Sequence, residues 1–269
     1  MPESKVVLVT GASSGFGKET ITLLSEHGFQ VFGTSRKLSA KGAGARVDML
    51  QLDVDSDESV NNCVSELMNR AGRLDVLVNN AGYVLKGAIE ETSVDEAKSQ
   101  FETNFFGAVR MVRAVLPIMR KQGSGQIINI SSMAAIIPVP FEGYYAATKA
   151  ALLAYTEQLR YEVKNFGVNV SVLEPGFFRT NIGETRGTPL HTIRDYDQMR
   201  TRAITSLKEE FQKGGDPKLV AQTILKIIRS ESPRFEYLVG KSGRYRALKR
   251  ILPQSMMESG VRRHWRLDN

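Results

Sequence analysis

Between residues 5 and 240, seven short runs rich in branched and aromatic residues alternate with longer stretches of helical period. This alternation constrains the fold more than any other feature of the chain. The short runs fall at 5–10, 29–35, 47–54, 74–80, 125–132, 168–175 and 235–240. The spacing predicts helices over 15–28, 56–71, 93–121, 143–166 and 216–230. Ser56 and Ser93 stand where two of these helices should begin, and Gly28, Gly72 and Gly123 where three should stop. Pro117 should bend the last turns of the long helix. Strands joined by helical crossovers must run parallel in one sheet, with helices on both faces. The prediction is an α/β fold, doubly wound, with a seven-stranded and mainly parallel sheet, forming one domain over residues 1–269. Segment 181–215 has no strand and reads as a helical flap inserted on the substrate side, and 241–269 as a basic C-terminal tail.

The first strand runs directly into Thr10-Gly11-Ala12-Ser13-Ser14-Gly15-Phe16-Gly17 and then a helix. A glycine turn in that position has a use. Gly11 permits the tight turn, Gly15 lets a pyrophosphate approach the backbone flanked by Ser13, Ser14 and Phe16, and Gly17 lets helix and strand pack closely. The phosphate charge then meets the free N–H groups of a helix N-terminus. The second strand ends in Gly33-Thr34-Ser35-Arg36-Lys37, with no acid to bind ribose hydroxyls. Ser35 leaves room and Arg36 can pair with a 2′-phosphate, which favours NADP(H) over NAD(H). Asp53, followed by Val54, ends the third strand and can accept from an adenine amino group. Asn79-Asn80-Ala81-Gly82 ends the fourth, where small residues let an adenosine lie against the backbone.

Tyr145 and Lys149 are four residues apart on a predicted helix and share one face. A free phenol titrates near 10, and a neighbouring cation lowers that value, as a proton donor to a carbonyl oxygen requires. Tyr144 has Thr148 at the same spacing, so the pair is Tyr145 with Lys149. Thirteen residues earlier, Ser132 closes the fifth strand at the carboxyl edge of the sheet, where ligands bind and where its hydroxyl can hold a substrate oxygen.

These motifs, in this order and spacing, resemble the short-chain dehydrogenase/reductase family in its compact Rossmann-type branch. The match includes Asn104 and Pro175-Gly176 with Thr180, and runs over roughly 5–180 and 216–240. The resemblance implies that Tyr145 is the general acid in reduction and the general base in oxidation. It implies that Lys149 tunes Tyr145, that Lys149 and Tyr145 both contact the cofactor, with Lys149 holding the nicotinamide ribose, and that Ser132 orients the carbonyl. Asn104 would hold a water linking Lys149 to solvent, and Pro175, Gly176 and Thr180, with Phe178 nearby, would seat the nicotinamide. Phe16 and Phe178 stand where the family commonly has smaller residues. A homodimer or homotetramer built on helices 93–121 and 143–166 is implied as well.

The loops at the carboxyl edge are apolar and include Tyr83, Ile137, Phe141 and Phe177. They suggest an apolar ketone, aldehyde or secondary alcohol; alternatively they pack beneath the flap. The pattern is similar to hydroxysteroid and retinol dehydrogenases. A sugar-nucleotide epimerase or dehydratase would need a larger C-terminal domain and another glycine spacing. A non-catalytic NADP sensor should have lost Tyr145 or Lys149. No metal site is expected.

Of the net charge of +7, residues 241–269 carry +6. Confinement of the charge to the tail argues against nucleic acid as a partner. Tyr245, Leu248 and Ile251 recur there at helical spacing among basic residues. Packing of that face on the parent domain is favoured over contact with a membrane surface. A single cysteine, Cys63, fits a reducing compartment, no apolar run reaches the roughly 18 residues of a membrane span, and a cytoplasmic protein is expected.

Overall fold

The computed structural model describes residues 4–38, 47–180 and 187–268. Seven strands form one sheet: β1 (Val6–Val9), β2 (Gln30–Ser35), β3 (Val47–Gln51), β4 (Val76–Asn79), β5 (Gly125–Ile130), β6 (Val168–Pro175) and β7 (Glu236–Val239). Their spatial order is β3-β2-β1-β4-β5-β6-β7, and every pairing is parallel. The register Val7↔Val76, Leu8↔Leu77 and Val9↔Val78 joins the two halves where the order reverses. A crevice opens at such a reversal, beyond the carboxyl ends of the strands.

Alternation along the strands divides the core between two faces. Leu8, Leu77 and Ile127 pack on one side against α2 (Asp57–Ala71), α4 (Gly107–Gln122) and α5 (Gly143–Val163), through residues such as Leu67, Met111 and Leu159. Val7, Val9, Val78 and Ile128 pack on the other against α1 (Gly15–Glu26) and α7 (Lys218–Arg229), through Leu24, Val220 and Ile224. Strands buried on both faces read as unbroken apolar runs, as these do. The helix starts hold as the sequence placed them. The Ser56 hydroxyl accepts from Ser59 N, and Gly72 ends α2 in the left-handed region at φ 71°. Ser93 forms a capping box with Glu96 at the start of α3 (Val94–Phe101).

The predicted single helix over 93–121 is interrupted. Between α3 and α4 the chain makes a π turn, Glu102–Phe106. The wider turn admits an extra residue into the hydrogen-bond ladder. It sets Asn104 inward with 1% exposure and leaves Phe106 at 44%. Pro117 lies inside α4 without ending it.

In the segment 181–215, residues 181–186 lie outside the described residues; the rest forms α6 (Asp197–Gln212), whose Leu207 and Phe211 enter a third apolar cluster at the sheet's carboxyl edge. The tail forms α8 (Ser242–Ile251) and α9 (Gln254–His264). Its packing differs from the expected apolar face. Tyr245, Val261, Trp265 and Leu267 join the third cluster, whereas Leu248 is 38% exposed and Ile251 78%. The hold on α8 is partly ionic, because Arg246 pairs with Glu236 and stands 3.7 Å from the buried Glu174.

Burial pushes the Glu174 carboxyl up to about 7, against the pull of Arg246. A carboxylate whose folded pKa is raised weakens the fold as pH climbs from the unfolded value through the folded one. Removing the guanidinium deepens that loss. Arg246→Met should therefore lower unfolding free energy by about 2 kcal/mol at pH 8 and by clearly less at pH 5, where Glu174 is protonated. Urea melts at the two pH values check this.

Candidate active site

The crevice between the halves is a cleft of about 670 Å³. Its walls carry Gly11, Ser13, Ser14, Gly15 and Phe16 from the first turn, Ser35 and Arg36 from β2, and Asp53 and Val54 after β3. Asn80, Ala81, Gly82 and Thr180 complete it, and Thr34, Lys37, Asp55 and Thr103 also line it though the sequence did not single them out. Gly17 is not in the wall. A side chain there would fall 2.4 Å from Gly11 O, so its role is the close packing of helix on turn. Gly11 lies at φ 64°, where a Cβ would meet Ala81 Cα at 2.9 Å. At Gly15 the space is open, with Thr180 the nearest neighbour at 3.7 Å.

Asn80 fixes the turn, donating from Nδ2 to Thr10 O at 2.9 Å and to Gly11 O at 3.1 Å. Ser14 caps α1 without a side-chain hydrogen bond, so no hydroxyl competes for the first N–H groups of the helix. The Thr180 hydroxyl is buried and has no hydrogen-bond partner among the described residues. Open space over Gly15, uncapped helix amides and an unused hydroxyl fit the phosphates and amide of a dinucleotide. Arg36 and Lys37 are exposed beside the cleft. Phe16 and Phe178, the two departures in size, pack edge to face at 5.5 Å and tie the glycine turn to the loop after β6.

A smaller apolar pocket adjoins the cleft, sharing Phe16, Asn80, Gly82 and Thr180 with it. Tyr145, Lys149, Ser132, Pro175, Gly176 and Phe178 come together in its wall. Burial pushes the Tyr145 phenol up, a hydrogen bond with Ser132 pulls it down, and the charge of Glu142 pushes it up again. The Lys149 ammonium donates to Ile130 O at 2.8 Å and lies 5.8 Å from the centre of the Tyr145 ring. Burial lowers it to about 8. In these surroundings burial outweighs the pull of Ser132 and holds the phenol above its usual value, and Lys149 is not among the groups that move it.

Asn104 is spent on the backbone of Tyr83. Its Oδ1 accepts from Tyr83 N and its Nδ2 donates to Tyr83 O, both at 2.9 Å, and Nδ2 also reaches Thr148 Oγ1 at 3.2 Å. It therefore pins the strand-end loop to α5 one residue from Lys149.

Of the four residues expected to meet substrate, only Phe177 lines this pocket. Tyr83 is drawn to the nucleotide cleft by Asn104. Ile137 is buried with its N–H bonded to Met133 O, and Phe141 adopts φ 66° with its carbonyl accepting from Gly87 N. The walls instead come from Val84, Met133, Ala134, Val139, Glu142 and Phe211, with Trp265 behind Phe177 at 6.0 Å between ring centres. Among the described residues no group of acids, histidines and cysteines is placed to hold a metal, and no helix is long and apolar enough to cross a membrane.

The short chain dehydrogenase family model matches residues 5–190. The chain is 39% identical to a 3-ketodihydrosphingosine reductase of Bacteroides thetaiotaomicron, over 97% of each chain. The solved structure of a short-chain dehydrogenase from Streptomyces avermitilis superposes with a TM-score of 0.82 at 33% identity, covering 99% of this chain and 97% of that one. Two further similar structures differ in nucleotide. A Burkholderia cenocepacia short chain dehydrogenase holds NADP (TM-score 0.74, 26% identity, 96% and 98% covered), and a Burkholderia phymatum enzyme holds NAD (0.81, 26%, 96% and 95%).

Proposed function

This chain belongs to the short chain dehydrogenase family, and on that premise we propose that it is an NADP(H)-dependent oxidoreductase interconverting an apolar ketone or aldehyde with its alcohol. The observation that carries the proposal is the placing of Tyr145 and Ser132 in the wall of an apolar pocket that opens onto the dinucleotide cleft. The nicotinamide, when bound, supplies or accepts the hydride. The protein's part is proton transfer and orientation. Ser132 and Tyr145 hold the carbonyl oxygen, and Tyr145 gives it a proton in reduction and removes one in oxidation. Lys149 supplies positive charge beside the phenol and holds the ribose, while Asn104 holds the Tyr83 loop against α5 beside Lys149. Arg36, with Ser35 beside it, selects the 2′-phosphate. Asp53 takes the adenine, and Pro175, Gly176 and Thr180 the nicotinamide. The Bacteroides relative is named for a ketone, which agrees with a carbonyl substrate here. Exposed Phe106 and Tyr161, on the π turn and α5, support a homodimer or homotetramer. The cytoplasm is the proposed compartment.

The direct test follows NADPH absorbance with a panel of apolar ketones and aldehydes, with NADH in parallel. NADPH oxidation dependent on a carbonyl compound is expected. A clear preference for NADH overturns the cofactor assignment, and oxidation of neither nucleotide with any carbonyl overturns the reaction.

The pH profile is a second check. Burial disfavours the charged form of Lys149, so its proton leaves near 8 rather than at the usual 10.5. If its charge is needed, the reduction rate should fall about tenfold per pH unit above that point. Lys149→Arg, always charged, should move this limb beyond reach if the side chain is accommodated. Glu142 titrates nearby at about 7, so the profile is also recorded in Glu142→Gln.

A further inference from the structure

Helix α8 turns an apolar stripe to solvent. Arg244, Ala247, Leu248 and Ile251 follow one another at helical spacing, and all four are exposed, Ile251 at 78%. Met256, in the first turn of α9, is 56% exposed as well. A lone exposed leucine means little on a protein surface, whereas an aligned set marks a contact. The orientation of α8 is fixed by its other side. Tyr245 enters the third apolar cluster, Arg246 pairs with Glu236, and Lys249 donates to Ile136 O. Rolling the stripe inward would break all three contacts, so the exposure of Leu248 and Ile251 follows from how the helix is held.

The chain around the stripe is positive. Residues 243–257 hold four basic residues and no acidic one. Arg244 stands in the stripe and Arg250 beside it, and among the described residues neither has an ion-pair partner. A second copy of the chain is a poor occupant for such a face. A symmetric contact would set like charges against each other, and Leu248, Ile251 and Met256 fall far short of the roughly 800 Å² per partner of a stable interface. A nucleic acid would meet the cations, but the exposed side chains between them are aliphatic and give its bases nothing to stack on. A lipid surface with anionic headgroups satisfies both features. We propose that α8 and the start of α9 dock the protein on an anionic membrane surface, with Leu248, Ile251 and Met256 at the acyl boundary and Arg244 and Arg250 among the headgroup phosphates. The proposal does not depend on the reaction assigned to the cleft.

The test is flotation of the full chain with vesicles of phosphatidylcholine alone or of phosphatidylcholine with an equal part of phosphatidylglycerol. At about 0.1 M salt the wild type should bind the anionic vesicles at least tenfold more tightly than the neutral ones, and most of that advantage should vanish at about 0.5 M. Two double variants separate the contributions. Leu248→Ser with Ile251→Ser removes the apolar stripe, and Arg244→Gln with Arg250→Gln removes the unpaired charge. Each should weaken binding to anionic vesicles at least fivefold. All four side chains are exposed, so the urea midpoint should stay level in both variants, which shows that the fold is intact. Equal affinity of the wild type for the two kinds of vesicle, a comparison that needs no variant, overturns the proposal. So does undiminished binding by either double variant. Sedimentation velocity without lipid tests the rival occupant: self-association that disappears with Leu248→Ser and Ile251→Ser, in a protein that binds no vesicle, assigns the face to a second copy and overturns the proposal.

Discussion

Tyr145→Phe is expected to lower kcat for carbonyl reduction by two to four orders of magnitude, about 3–5 kcal/mol of transition-state stabilisation. The change deletes one oxygen. That oxygen is buried and hydrogen-bonded to Ser132, so stability should fall by no more than about 1 kcal/mol. The nucleotide cleft is built mainly from the first turn and the ends of β2, β3 and β4, and Tyr145 lines the adjoining pocket rather than the cleft. Affinity for NADPH should therefore change less than threefold. Stopped-flow turnover and a nucleotide titration of the same preparation separate the two effects. Loss of binding in step with loss of rate would mean that the phenol serves the cleft and not proton transfer.

Arg36→Asp is expected to reverse cofactor choice. The wild-type side chain is exposed at the cleft wall just beyond β2, and its backbone carbonyl is held by Gln51 Nε2 at 3.3 Å. Ser35 Oγ donates to Lys37 O at 2.7 Å, which closes the turn and is untouched by the change. The substitution removes a charge-assisted pair with a 2′-phosphate and replaces it with repulsion, for a loss of roughly 3 kcal/mol. KM for NADPH should rise about a hundredfold. A carboxylate in that place can accept from ribose hydroxyls, so KM for NADH should stay level or fall. An unchanged NADPH KM would show that Arg36 is a solvated surface charge.

The skeleton of the fold was legible because parallel strands buried on both faces leave a simple trace: a short apolar run, a stop, a helical period. Val6–Val9 and Val168–Pro175 could be placed from that trace alone. The π turn at Glu102–Phe106 could not, since one extra residue in a ladder alters no pattern of side-chain type. Tyr145, Lys149 and the glycine turn could be singled out because the proposed chemistry demands particular residues at fixed spacing. The wall of the adjoining pocket could not. Tyr83, Ile137 and Phe141 belong to apolar loops, and which member of such a loop faces inward is decided by contacts made elsewhere: by Asn104 on Tyr83, and by Met133 and Gly87 on the other two. Glu142, between Phe141 and Gly143, reads in sequence as an ordinary surface acid; only its burial beside the pocket gives it meaning.

Trp265 lies beyond α9, packed on Phe177 and on His264 at 4.8 Å, and is the single tryptophan of the chain. The protein thus carries its own optical reporter, sited behind the wall of the smaller pocket. A ligand that displaces the Phe177 ring changes the polarity around the indole, so its emission should shift in wavelength. Filling the far, adenine end of the cleft should leave that wavelength where it was. One spectrum then distinguishes occupation of the two compartments, with no label attached and no turnover required.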